Sequence, residues 1–234
     1  MFKKIISILA CASIITGIFT GCSREVKLKD VEIANFTKPV KGEKIAVITV
    51  KDYGTIKIKL FPDYAPKGVE NFEGLIDKQY YDELIFHRIY KGYVAQTGDP
   101  KGNGTGGNSM WDKTFANEIS DHLWQFTGAV AYANSGTDNT NGSQFYILGT
   151  QKDSVTDKTF KDLSAQNVNF PQNVKDKYKE IGGEPAFDKR YTVFGQVFEG
   201  MDVVYKIVKA EVDANDKPVN QIMVQNVKIV EYEG

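Results

Sequence analysis

Apolar and polar residues alternate with period two over several short stretches of this chain, and follow a helical period over only two clear ones. Over residues 44–61, Ile45, Val47 and Thr49 and then Ile56, Ile58 and Leu60 alternate with polar neighbours around Asp52-Tyr53-Gly54, which predicts a β-hairpin. Residues 63–78 change period: Pro66 suits a first helical turn, and Val69, Phe72, Leu75 and Ile76 form one apolar stripe. Residues 86–99 alternate again on either side of Lys91-Gly92, predicting two short strands that hold Arg88 and Gln96 beside Tyr93 and Val94. Further strands are expected at 128–133, 143–148, 191–197 and 221–232. A second helix is expected at 200–209, with Met201, Val204, Ile207 and Val208 on one side.

Strands dominate without regular alternation with helices. The fold class is therefore mainly β, with an antiparallel sheet that a closed barrel would free of edges. Two loops punctuate it. Residues 102–107 satisfy a three-glycine dinucleotide pattern, but no helix opens after them, so they read as a flexible loop. Residues 134–142 form a long turn-rich loop. Residues 151–185 are the least regular part, with a short exposed helix over 174–181 ended by Gly182-Gly183. This stretch is either a solvated surface insertion or a rim that holds clients.

The first 22 residues form a leader: Lys3 and Lys4, then an uncharged apolar run too short to span a bilayer, then Phe19-Thr20-Gly21-Cys22. The expected organisation is a signal peptide over 1–21, a lipidated Cys22 with a tether over 22–43, and one domain over 44–234. The expected location is outside the cytoplasmic membrane, anchored through lipid on Cys22. Cys11 is the only other cysteine and leaves with the leader, so disulfides and cysteine catalysis drop out together. The formal net charge of -1 gives no basic footprint for nucleic acid. The two histidines show no metal spacing; His87 alternates away from Arg88 into the core, and His122 lies in a polar stretch.

Arg88 offers a fixed fork of donors, Gln96 offers both donor and acceptor, and neither adjoins a nucleophile with a base. That combination suits a neutral amide; the bland alternative is an amphipathic hairpin with a surface arginine. Four separated segments decide for the amide. Phe86-His87-Arg88-Ile89 with Gln96-Thr97-Gly98-Asp99, then Gly104-Thr105-Gly106-Gly107, then Ala133-Asn134 with Asn141-Gly142-Ser143-Gln144-Phe145, and finally Tyr191-Thr192-Val193-Phe194-Gly195 resemble the cyclophilins in residues and order. The leader resembles that of lipoprotein cyclophilins of Gram-positive bacteria.

The resemblance implies a closed eight-stranded antiparallel barrel capped by two helices, and peptidyl-prolyl cis-trans isomerase activity without metal or other cofactor. It implies Arg88 as the catalytic arginine and Gln96 as the residue that orients it and touches the peptide. Tyr93, Val94, Tyr146 and Phe187 would line the proline pocket with Tyr191, where many members have histidine. Ala133 and Asn134 would present backbone groups to the residues before proline, and Gln144 would hold the peptide from the other side. Partners would be proline-containing unfolded or exported polypeptides; the alternative is a non-catalytic module that binds proline-containing segments of envelope or host proteins. Cyclosporin binding is implied in weakened form, because Ala186 stands where many members have a tryptophan that bonds the drug.

Overall fold

The computed structural model describes residues 28–234. The leader and Cys22 lie outside the described residues. Eight strands form one antiparallel sheet in the order β3-β4-β6-β5-β7-β2-β1-β8: β1 Lys44–Val50, β2 Gly54–Leu60, β3 Arg88–Tyr90, β4 Val94–Thr97, β5 Ala129–Tyr132, β6 Phe145–Leu148, β7 Val193–Glu199 and β8 Val224–Glu231. The sheet curls until its ends meet. The seam is a short patch: a bridge between Ile85 and Met223, flanked by Phe86 N–H donating to the Ile222 carbonyl (2.9 Å) and Val224 N–H donating to the Leu84 carbonyl (2.7 Å). The expected barrel is thus present, with a locally bridged seam in place of full ladder closure.

Helices α1 (Pro66–Asp77) and α4 (Met201–Val208) cover its open ends, as the two apolar stripes predict. Phe72 of α1 is fully buried, with ring centroids 5.3 Å from Tyr81, 5.3 Å from Phe145 and 5.0 Å from Phe194. In β2, Ile56, Ile58 and Leu60 point inward as expected, but in β1 the buried set includes Ala46, Ile48 and Val50 while Val47 and Thr49 are half-exposed. The strand is apolar at both parities, so period alone does not choose its face. Pairing chooses it, setting Ala46 opposite Ile58 and Ile48 opposite Ile56.

The larger departure is the 151–185 region. It carries two helices, α2 (Asp157–Ser164) and α3 (Gln172–Ile181), and builds a core of its own from Phe160, Leu163, Phe170, Val174 and Tyr178 against Trp124 and Phe126. Helix α2 went unread in the sequence because only Phe160 and Leu163 face inward among its charged residues. Gly182 ends α3 at φ 87°, a left-handed conformation that glycine adopts without steric cost.

The described part of the expected tether is also not free. Val31 and Ile33 pack on the insertion core, and Asn35 is buried. Its side chain donates to the Trp124 carbonyl (3.0 Å) and to Gln196 Oε1 (3.0 Å), and accepts from Trp124 N–H (2.9 Å). The folded unit therefore begins before Lys44. Replacing Asn35 by Ala strands buried partners on two strands of chain and should lower the unfolding free energy by about 2–3 kcal/mol. Urea denaturation of the purified chain checks this; an unchanged midpoint would show that the docked segment contributes nothing to stability.

Candidate active site

Strand register builds the site. Arg88 of β3 stands opposite Gln96 of β4, Gln96 opposite Tyr146 of β6, and Tyr146 opposite Ala131 of β5. Directly opposed residues share a face of the sheet, so this row points outward together. The neighbouring row, Ile89, Ala95, Ile147 and Val130, points into the barrel and is fully buried. One register thus fixes a stiff core beneath and a mixed polar and aromatic surface above.

That surface is the floor of a cavity of about 470 Å³. It is lined by Arg88, Gln96, Tyr93, Val94, Ala133, Asn134, Tyr146, Phe187 and Tyr191, which brings together every expected site residue among those described except Gln144. Gln144 lines an adjoining depression of about 290 Å³ that shares Arg88, Gln96, Ala133 and Asn134 with the first. A chain crossing both depressions would pass beside the guanidinium.

Three rings wall the larger cavity edge to face: Tyr146 lies 5.9 Å from Phe187 and 5.8 Å from Tyr191, and Phe187 lies 5.3 Å from Tyr191. Tyr146 is buried, and its hydroxyl donates to Gln125 Oε1 (3.0 Å), so the wall facing the cavity is hydrocarbon. Burial also pushes that hydroxyl's pKa well up, and it stays protonated.

The polar groups differ in one respect from expectation. Gln96 Nε2 donates to Gln144 Oε1 (2.8 Å), and Gln144 Nε2 donates to the carbonyls of Gly106 (2.7 Å) and Gly104 (3.2 Å). Gln96 is therefore held from the glycine loop: it stands opposite Arg88 in the ladder, but its amide is turned to Gln144. Arg88 instead lies over the Tyr90 ring, 4.2 Å from its centroid, and donates to the Tyr90 hydroxyl. Asp216 approaches Nε at 4.0 Å; both side chains are well exposed, so that pair adds little. Ala133 N–H donates to the Gln144 carbonyl (2.9 Å) and is not available to a peptide. The Asn134 side chain is likewise engaged, with Asn117 (3.1 Å) and with Gly136 N–H (2.9 Å), so its backbone is what it can offer.

The glycine loop has its own anchor. Buried Asp99 accepts from the N–H groups of Lys101 (2.8 Å), Asn103 (3.0 Å) and Gly104 (2.6 Å). Burial alone would raise its pKa, but these donors outweigh it and the carboxyl sits below its ordinary value. Gly106 must be glycine here, since a Cβ would lie 2.3 Å from Asp99 Oδ1. The loop is thus a structured strap for Gln144, with no helix behind it to receive a dinucleotide.

His87 is buried, and neither ring nitrogen has a partner among the described residues. Desolvation lowers its pKa, which keeps it a neutral core residue. No group of three or more His, Cys, Asp or Glu is placed to hold a metal among the described residues. Sequence reading missed Tyr90 and Gln125. Tyr90 has the same parity as Arg88 and was findable; Gln125 lies in an irregular stretch that carries no periodic signal.

An outward-facing cavity with an aromatic wall and an arginine fork, carried on a β-barrel, suits a barrel that receives a peptide and addresses a neutral amide. The comparisons specify which. Residues 45–229 match the family model described as cyclophilin type peptidyl-prolyl cis-trans isomerase/CLD. A Staphylococcus epidermidis protein provisionally named a peptidyl-prolyl cis-trans isomerase is 37% identical over 194 residues, covering 83% of this chain and 96% of its own length. A Streptococcus pyogenes protein provisionally named a bifunctional phosphatase/peptidyl-prolyl cis-trans isomerase is 36% identical over 208 residues, or 88% of this chain; the chain spans only 42% of that relative. The crystal structure of a Cryptosporidium parvum cyclophilin type peptidyl-prolyl cis-trans isomerase, obtained in the presence of the dipeptide Ala-Pro, superposes with TM-score 0.64 at 27% identity, covering 80% of this chain and 99% of that one. The chain belongs to the cyclophilin-type peptidyl-prolyl cis-trans isomerases.

Proposed function

We propose that this isomerase acts on Xaa-Pro bonds of exported polypeptides, helping them fold outside the cytoplasmic membrane to which lipid on Cys22 anchors it. The observation that carries the catalytic part is the single row of Arg88, Gln96 and Tyr146 on one sheet face, beside an aromatic wall.

A prolyl amide rotates slowly because resonance gives its C–N bond partial double-bond character, with a barrier of roughly 18–20 kcal/mol. On twisting, the nitrogen becomes pyramidal and gains a lone pair. A donor aimed at that nitrogen stabilises the twisted form more than either planar form. Arg88 supplies such a donor as a planar, charged and directional fork that lysine lacks. The proline ring would rest against Tyr146, Phe187 and Val94, and on binding would displace water that otherwise competes for Arg88. Residues before proline would cross the second depression toward Gln144 and the Ala133-Asn134 backbone. No covalent step enters.

The anchoring part rests on the basic start, the apolar run and Phe19-Thr20-Gly21-Cys22. Ala186 is exposed on the turn bearing Phe187, so nothing there replaces a tryptophan as a donor to cyclosporin, and weak binding of that drug is expected.

Arg88→Ala should lower the cis-to-trans rate of a short Ala-Pro peptide by about 10²–10³ while the chain stays folded. An unchanged rate would remove Arg88 from the chemistry; a wild type no faster than the free peptide would leave a proline-binding module in place of an enzyme. For anchoring, Cys22→Ala should move the protein from the membrane fraction to the soluble fraction of its host. Membrane retention of that variant, or unlipidated Cys22 by mass spectrometry, would refute lipidation.

A further inference from the structure

The aromatic wall of the proline pocket hangs from one buried residue pair outside the pocket. Gln125 is almost fully buried, and its side chain accepts from the Tyr146 hydroxyl (3.0 Å) and donates to the Tyr191 carbonyl (3.3 Å). Its backbone carbonyl accepts from Glu184 N–H (2.9 Å), and the Glu184 carbonyl accepts from Phe187 N–H (2.9 Å). All three wall rings are therefore placed by Gln125 within one or two hydrogen bonds.

Gln125 is in turn fixed by Asp188, whose Oδ1 accepts from Gln125 N–H (2.8 Å). Asp188 Oδ2 accepts from the hydroxyl of Tyr178 (2.6 Å), a fully buried residue of α3 within the 151–185 insertion. Neither Asp188 nor Tyr178 lines the pocket. Both carboxylate oxygens act as acceptors, an arrangement that suits the ionised form. Protonation would convert one oxygen to a donor and force the Tyr178 hydroxyl to reverse.

We propose that Asp188 is a positioning residue for the proline pocket, and that its bond to Tyr178 couples the 151–185 insertion to substrate affinity. This inference rests on the isomerase reading and goes beyond it in giving the insertion a role in the reaction.

Asp188 is placed to make that coupling sensitive to pH. Burial pushes its carboxyl up to about 7, against the opposing pull of the Tyr178 hydroxyl, Gln125 N–H and Lys189. The titratable groups around it are Tyr178 from α3, Glu184 and Lys189 on its own segment, Glu118 and Tyr191, which line the same narrow crevice, and Tyr146, whose hydroxyl feels the carboxylate across Gln125. Burial raises Glu184 as well, so Glu184 is the control.

The test is the pH profile of KM and kcat for an Ala-Pro peptide, measured on the full chain between about pH 8 and about pH 6. KM of the wild type should rise about three- to tenfold on acidification as Asp188 takes up a proton, with kcat changing less. Asp188→Asn, which is neutral at every pH, should give a flat profile held near the low-pH KM. Tyr178→Phe, remote from substrate, removes a donor from the carboxylate and should move the transition to higher pH. Glu184→Gln should keep the transition and move it only slightly, to lower pH, because a neighbouring negative charge is removed. A flat wild-type profile, a transition that survives Asp188→Asn, or one abolished by Glu184→Gln would overturn the proposal. Should Asp188→Asn not fold, an unshifted midpoint in Tyr178→Phe overturns it alone. A wild type with no activity at any pH would instead refute the isomerase reading.

Discussion

In an antiparallel ladder, opposed residues point to the same face, and a slip of one residue would exchange the two faces completely. The register across β3, β4, β6 and β5 is the constraint on which this molecule depends. It sends Ile89, Ala95, Ile147 and Val130 into the barrel and Arg88, Gln96, Tyr146 and Ala131 outward. The core row drives folding by removing apolar surface from water. The same pairing sets the catalytic fork and the proline wall on backbone too stiff to drift. Core and site are not separate achievements of the sequence; one register produces both.

The outer row needs support because a sheet face alone is flat. The walls come from elsewhere in the chain: the Asp99-centred strap that holds Gln144 on one side, and the Gln125-centred network that holds Phe187 and Tyr191 on the other. Both use a buried carboxylate, with opposite electrostatic outcomes. Asp99 meets three N–H donors and sits low, whereas Asp188, with two donors and deep burial, sits high. Depth of burial, set against the donors each carboxylate meets, decides the sign. A strap that stays ionised is a permanent clamp, and one that titrates near neutrality is adjustable.

Much of this was legible in the sequence because the signals were local. The period-two runs located the strands, and the stripes Val69-Phe72-Leu75-Ile76 and Val204-Ile207-Val208 located the capping helices. Arg88 and Gln96 were legible as polar residues of one hairpin. The inward face of β1 was not, since it is apolar at both parities and only pairing with Ile56 and Ile58 decides it. The insertion core was missed for a related reason: Phe160, Leu163, Val174 and Tyr178 are sparse among charges and gain meaning only against Trp124, Phe126 and the docked segment with Val31 and Ile33. Gln96 illustrates a third limit. The sequence pointed its amide at Arg88, and only the three-dimensional arrangement of the strap gives it Gln144 instead.

The central claim is that a directional donor beside an aromatic wall lowers the barrier to rotation without being needed to hold the peptide. Exchange NMR on an Ala-Pro peptide, comparing wild type with Arg88→Lys, separates these two contributions. The account predicts that the lysine variant keeps binding the peptide while exchange between bound cis and trans forms slows by about 10² or more. Equal exchange rates in the two proteins would contradict it, because a mobile point charge would then serve as well as the fork.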